Sequence, residues 1–168
     1  MREFFARDDL IAHLKMASWE VLAIEGDAGM GKSSLAKAFE RQCGVARAEL
    51  DSLIIEKELG YVAAFETAKL LSVVDLASPR TVIEGVCMRI LIGGLLSPST
   101  PFAYVRRASA NTGIWRLSHP IKRRRAGHAP RPNCGAALLD RDIEEYHLKD
   151  APYLRCDLLL TMPKLSET

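Results

Sequence analysis

The stretch IEGDAGMGKSSLAK, residues 24–37, places four residues between Gly26 and Gly31-Lys32-Ser33. Few short patterns dictate local geometry so strongly. Glycines let successive backbone N–H groups turn inward and approach an anion closely. The pattern carries weight only between a strand and a helix, and both flanks qualify. Val21, Leu22, Ala23 and Ile24 form a short apolar run closed by glycine, which reads as a strand buried on both faces. From Lys32 the period becomes helical: Leu35, Phe39 and Cys43 recur at intervals of four, and Gly44 follows as a stop. In that setting the helix N-terminus adds its dipole. Lys32 supplies a point charge for β- and γ-phosphates, and the Ser33 hydroxyl a ligand for Mg2+. Gly26, Asp27, Ala28, Gly29, Met30, Gly31, Lys32, Ser33 and Ser34 are therefore the candidate nucleotide-binding residues. The bland alternative, a glycine-rich turn with a chance lysine, explains neither flank.

The rest of the chain alternates strands with helices. RDDLIAHLKM reads as an N-terminal helix with Leu10, Ile11 and Leu14 on one face. VARAEL reads as a second strand ending at Asp51, and a helix is expected from Glu56 to Leu71. RTVIEGV, set off by Pro79, gives a third strand, and PFAYVRRAS a fourth. SHPIKRRRAGHAPRPNC, residues 118–134, holds three prolines and a triple arginine and reads as a mobile surface segment. LLDRDIEEYHLKD resumes a helical pattern, and YLRCDLLLTM gives a fifth strand. This alternation argues for one α/β domain over residues 1–168, with a parallel sheet covered by helices on both faces.

Bulk properties narrow the function classes. A formal net charge of +2 means the chain as a whole is no polycation, so its basic character is local. The four cysteines, at 43, 87, 134 and 156, form no C-x-x-C pair, which speaks for free thiols rather than zinc or a disulfide framework. MREFFARDDL carries charges where a leader needs an apolar stretch. The apolar run ILIGGLL is too short to cross a bilayer. The expected compartment is the cytoplasm, with no membrane partner.

Two carboxylates lie where open parallel sheets bind ligands, at C-terminal strand ends: Asp51 after the second strand and Glu84 after the third. Either could hold Mg2+ directly or through water. The competing readings are an N-cap for Asp51 and a surface strand end for Glu84. Histidines 13, 119, 128 and 147 are scattered and none is assigned to catalysis. Tyr146, His147 and Tyr153 read as packing or surface residues.

Taken together, EGDAGMGKSS, Asp51, TVIEGV, the arginines of YVRRASANTGIWR and the late YHLKDAPYLRCDLLL resemble the small P-loop kinases, in particular the uridine kinase-like and nucleoside or nucleotide kinase groups. The resemblance spans most of the chain. It implies a five-stranded parallel sheet of order 2-3-1-4-5, counting the 21–24 strand as first. It also implies transfer of the ATP γ-phosphoryl group to a small hydroxyl- or phosphate-bearing acceptor, under an arginine-bearing lid at roughly residues 106–134. Carried over by position, Lys32 and Ser33 take phosphate and Mg2+ roles. Asp51 falls where such kinases accept the acceptor hydroxyl's proton, and Glu84 where they hold Mg2+. Arg106, Arg107 and Arg116 fall near the lid, as candidate catalytic arginines.

A second class of function is a nucleotide-driven switch or ATPase whose KRRR run contacts nucleic acid or a protein partner. The run lacks interleaved aromatics for base stacking. TVIEG has a single carboxylate where an ATPase strand would have two, and no guanine-reading N-K-x-D is present. The kinase reading is preferred on these grounds.

Overall fold

The computed structural model describes residues 1–27, 29–53, 68–69, 80–108 and 135–163. Its centre is the apolar run read as the first strand. This strand, β2 (Val21–Gly26), follows a short edge strand β1 (Arg2–Phe4) and helix α1 (Arg7–Met16). Helix α2 (Lys32–Cys43) leaves the glycine-rich loop and ends at Gly44, as its sequence period requires. Then come β3 (Ala46–Glu49) with a 3-10 turn (Leu50–Leu53), β4 (Thr81–Gly85), α3 (Met88–Ile92) and β5 (Phe102–Ala108). Helices α4 (Gly135–Lys149) and α5 (Pro152–Arg155) precede β6 (Leu158–Pro163).

All strand pairs are parallel, in the order β1-β6-β5-β2-β4-β3. Read from β3 to β6, this is the expected order, with one strand added at the far edge. Among the described residues the sheet has six strands rather than five. In β1 only Phe4 is buried, so three residues gave the sequence period nothing to register.

Strand alternation divides the core. Leu22, Ile24, Val82, Ala103, Val105, Leu158 and Leu160 share one face with Leu10, Ile11 and Leu14 of α1 and Leu35 and Phe39 of α2. Ala23, Ile83 and Phe102 share the other with Met88, Leu91 and Ile92 of α3 and Tyr146 of α4. Each fully buried aliphatic or aromatic side chain contributes roughly 1.5–3 kcal/mol, so both layers fasten the helices to the sheet.

Two predicted boundaries move. The second strand stops at Glu49, and the chain turns through Leu50–Leu53, with Ser52 Oγ donating to the Glu49 carbonyl at 2.6 Å. The fifth predicted strand began at Tyr153, yet Pro152–Arg155 is a helical turn with proline at its start, where proline needs no N–H partner. Strand geometry begins at Leu158, beside Asp157, whose carboxylate accepts from Phe102 N at 2.9 Å. The expected helix over 56–71 lies outside the described residues except at 68–69, as does the basic segment 118–134. Among the described residues no helix is long and apolar enough to cross a membrane, and Cys43, Cys87 and Cys156 are free thiols.

Candidate active site

The chain leaves β2 first toward β3 and β4 on one side and later reaches β5 and β6 on the other. The loop after β2 therefore lies at a topological switch point, where open α/β sheets bind ligands. Close approach of β5 requires the glycine at 26, and positive φ angles favour those at 29 and 31. A side chain at Gly26 would overlap the Val105 carbonyl oxygen of β5. Gly31 has φ 103°, and a Cβ there would lie 2.5 Å from Met162 Cε of β6. The first α2 hydrogen bond, Leu35 N to Gly31 O at 3.0 Å, follows immediately.

Lys32 is buried, and its Nζ donates to the Asp27 carbonyl across the loop at 2.9 Å. Burial pushes its pKa down. The negative charges of Asp51, Asp27, Glu84 and Glu25, in that order, oppose the shift. The lysine thus sits in the field of both predicted strand-end carboxylates. Asp27 is buried beside it, Ser33 is half-buried and Ser34 exposed at the first turn of α2. Asp51 is exposed, in the turn after β3. Ala28 lies outside the described residues.

Glu84 is buried at the end of β4, which removes the surface reading of it. Its Oε1 accepts from Arg47 Nη1 at 2.5 Å. Arg47 also lies 3.4 Å from Glu49 and 3.8 Å from Glu40. The sequence reading passed over Arg47. Parallel pairing of Arg47 with Val82 and of Glu49 with Glu84 sets all four on one face, a period-2 signal that becomes visible once β3 and β4 are registered.

The two arginines of β5 diverge. Arg107 lies on the loop side: its Nη2 is 3.4 Å from where a Gly31 Cβ would stand, and its Nη1 donates to the Pro163 carbonyl at 2.9 Å. Its Nε is buried with no hydrogen-bond partner. Arg106, grouped with it in the sequence, points to the opposite face, because neighbouring strand residues alternate. Its Nε donates to Thr161 Oγ1 and its Nη2 to Glu3 Oε1, each at 2.8 Å. Arg116 lies outside the described residues.

One buried carboxylate was not anticipated. Glu25, immediately before Gly26, accepts from Tyr146 Oη at 2.5 Å and from Met88 N at 2.8 Å. Burial raises its pKa to about 7, chiefly by desolvation, while both hydrogen bonds and the charges of Arg89 and Lys32 hold the rise back. Beside this pair, His147 Nε2 meets Tyr104 Oη at 2.7 Å. Of the packing and surface readings, Tyr146 and His147 take the first: both are buried, and each is joined to a polar partner.

Among the described residues no cluster of three or more His, Cys, Asp or Glu could hold a metal by itself. The nearby donors, the Ser33 hydroxyl and the Glu84 and Asp51 carboxylates, are hard oxygens. That set fits a cation that keeps its waters and arrives with phosphates, as Mg2+ does, and not a preformed cage.

No protein-family model and no curated protein sequence matches the chain. Solved structures do. A possible uridine kinase from Bacillus stearothermophilus superposes with a TM-score of 0.55 at 15% identity, covering 92% of this chain and 96% of that one. Shikimate kinase from Bacteroides thetaiotaomicron gives 0.46 at 19% identity, over 84% and 85% of the two chains. A sugar kinase from Janibacter sp. HTCC2649 gives 0.38 at 15% identity, over 80% and 98%. With its parallel sheet, its strand order and the loop and helix after β2, the chain has a P-loop kinase-like fold.

Proposed function

We propose that the protein is an ATP-dependent phosphotransferase that moves the γ-phosphoryl group to a small acceptor bearing a hydroxyl or phosphate. The observation that carries this reading is the placement of Lys32: buried in a phosphate loop, in the combined field of Asp51 and Glu84. Phosphoryl transfer asks a protein for positioning and charge stabilisation more than for covalent chemistry. The loop N–H groups and the α2 N-terminus hold the phosphates. Lys32 neutralises charge that spreads over the transferred group. Asp51, exposed in its turn, accepts the proton of the acceptor hydroxyl. Ser33 and Glu84 would hold Mg2+, which when bound supplies further neutralisation of the phosphate oxygens. Arg107 reaches toward the same loop and adds positive charge at its β6 side.

The test is an ATP-consumption screen over a library of small hydroxyl and phosphate acceptors, with a control lacking acceptor. Consumption that rises at least tenfold with one acceptor class supports the phosphotransferase. Hydrolysis indifferent to every acceptor overturns it in favour of an ATPase or switch.

A further inference from the structure

Glu84 does not stand alone at the end of β4. Arg47 donates to its Oε1 at 2.5 Å, and the same guanidinium is shared with Glu49 and Glu40 at the longer distances given above. The Glu84 side chain is 2% exposed and that of Arg47 20% exposed, so water screens this pair far less than a surface pair. The pair joins β3 to β4 on the face shared with α2, beside the strand that carries the loop.

From this geometry we infer that Arg47 is a positioning residue that sets how strongly Glu84 draws a divalent cation toward the phosphates. The inference rests on the proposed role of Glu84 as a Mg2+-holding group. Two effects follow from one contact. Arg47 fixes the carboxylate orientation by engaging one oxygen. Its positive charge also opposes any second cation approaching the same carboxylate, through a medium of low effective dielectric. Glu49 and Glu40 draw part of that charge away, so the opposition is partial and adjustable. The arrangement orders the Glu84 carboxylate in a buried position without making it a tight metal trap. A site that must bind and release Mg-nucleotide at each turnover needs that balance.

The test measures the Mg2+ midpoint of the ATP-induced rise in melting temperature, with magnesium titrated at fixed ATP. This readout does not depend on turnover. Wild type is compared with Arg47→Gln, Arg47→Lys, Glu84→Gln and the double variant Arg47→Gln/Glu84→Gln. Arg47→Gln keeps a hydrogen-bond donor for Glu84 and removes the charge. It should lower the midpoint about fivefold or more, since the positive charge that opposes a second cation beside Glu84 is gone. Arg47→Lys keeps the charge and should stay close to wild type. Glu84→Gln should raise the midpoint, and the double variant should match Glu84→Gln, because Arg47 acts only through that carboxylate. An unchanged midpoint in Arg47→Gln, with Glu84→Gln shifted, overturns the inference and leaves the metal role of Glu84 standing. Unchanged midpoints in both overturn that role and the inference with it. If Arg47→Gln does not fold, Arg47→Met, which also removes the charge, decides: a lowered midpoint supports the inference and an unchanged one overturns it.

Discussion

Glu25→Gln offers a quantitative test of how the phosphate-loop strand is buried. Glu25 is 1% exposed, and burial raises its pKa from an ordinary 4.5 to about 7. The folded pKa therefore exceeds the unfolded one. Below pH 4.5 both states carry the proton and Glu25 does not affect the balance. Between 4.5 and about 7 the unfolded chain releases it while the folded protein keeps it, so stability falls as pH rises. Above about 7 both states are ionised and the loss is complete. At ~1.4 kcal/mol per pH unit the loss amounts to at most ~3 kcal/mol. Glutamine cannot titrate, yet its carbonyl oxygen still accepts from Tyr146 and Met88. The wild type should thus lose ~3 kcal/mol more than Glu25→Gln between pH 4.5 and pH 8. For a chain of 168 residues that is a melting-temperature divergence of roughly 6–12 °C. Thermal melts of both proteins across that range measure it. Any fixed cost of seating the extra amide N–H2 offsets the curves without changing how they diverge. Parallel curves would show that Glu25 is ionised throughout, and that Tyr146, Met88 N and the nearby cations outweigh its desolvation.

Lys32→Ala should abolish turnover, because the lysine charge acts where transition-state charge spreads. A wild type whose melting temperature does not respond to Mg-ATP would remove the phosphate-loop assignment itself. Arg107→Ala should slow turnover about tenfold or more, equivalent to ~1.4 kcal/mol of transition-state stabilisation, with Arg106→Ala nearly silent; steady-state kinetics showing the reverse would place the wrong arginine at the loop. Tyr146→Phe removes a hydrogen bond that favours the ionised Glu25, so the steep part of the pH–stability curve should extend above pH 7, as melts in the same buffers would report. Gly26→Ala sets a methyl against the Val105 carbonyl and should cost more than ~1 kcal/mol, seen as a lower urea midpoint.

Much of the sheet could be read before any coordinates, and the reasons are local. Val21 to Ile24 is apolar throughout because a central parallel strand is covered on both faces, and α2 announces itself through Leu35 and Phe39, which meet that same strand. Leu10, Ile11 and Leu14 mark α1 by the same logic. Strand order is another matter. Apolar period says which residues face the core and nothing about which strand lies beside which, so the order came through the family resemblance alone. Strand β1 escaped because its place depends on a partner 156 residues away, Arg2 against Leu158, and on three residues with one buried side chain. Tyr153 and Leu154 have strand-like composition, yet the left-handed Ala151 and Pro152 divert the chain first.

The candidate site divides along a similar physical line. Gly26, Gly31 and Lys32 stood out because the glycine spacing between a strand and a helix is a local pattern, while the reason for Gly26, the Val105 carbonyl of β5, lies far along the chain and that for Gly31 is its positive φ. Arg106 and Arg107 are adjacent in the chain yet serve opposite faces, and composition cannot separate them. Alternation tells that they diverge, and only the register of β5 against β6 tells which one meets Gly31. Glu84 was singled out by its strand-end position, but its partner Arg47, 37 residues earlier, was not legible. Glu25 is the sharper case. As a charge inside an apolar strand it breaks the pattern that identifies the strand, and a buried carboxylate must find partners or give up its charge. It does some of each: Tyr146 comes from 121 residues away, Met88 offers a backbone N–H, and the pKa climbs to about 7. A break in the apolar pattern directly before the loop was therefore the available signal. It asks which later helix returns to that strand, and α4 answers through Tyr146. The helix that follows the basic segment is thereby tied to the strand that carries the glycine-rich loop.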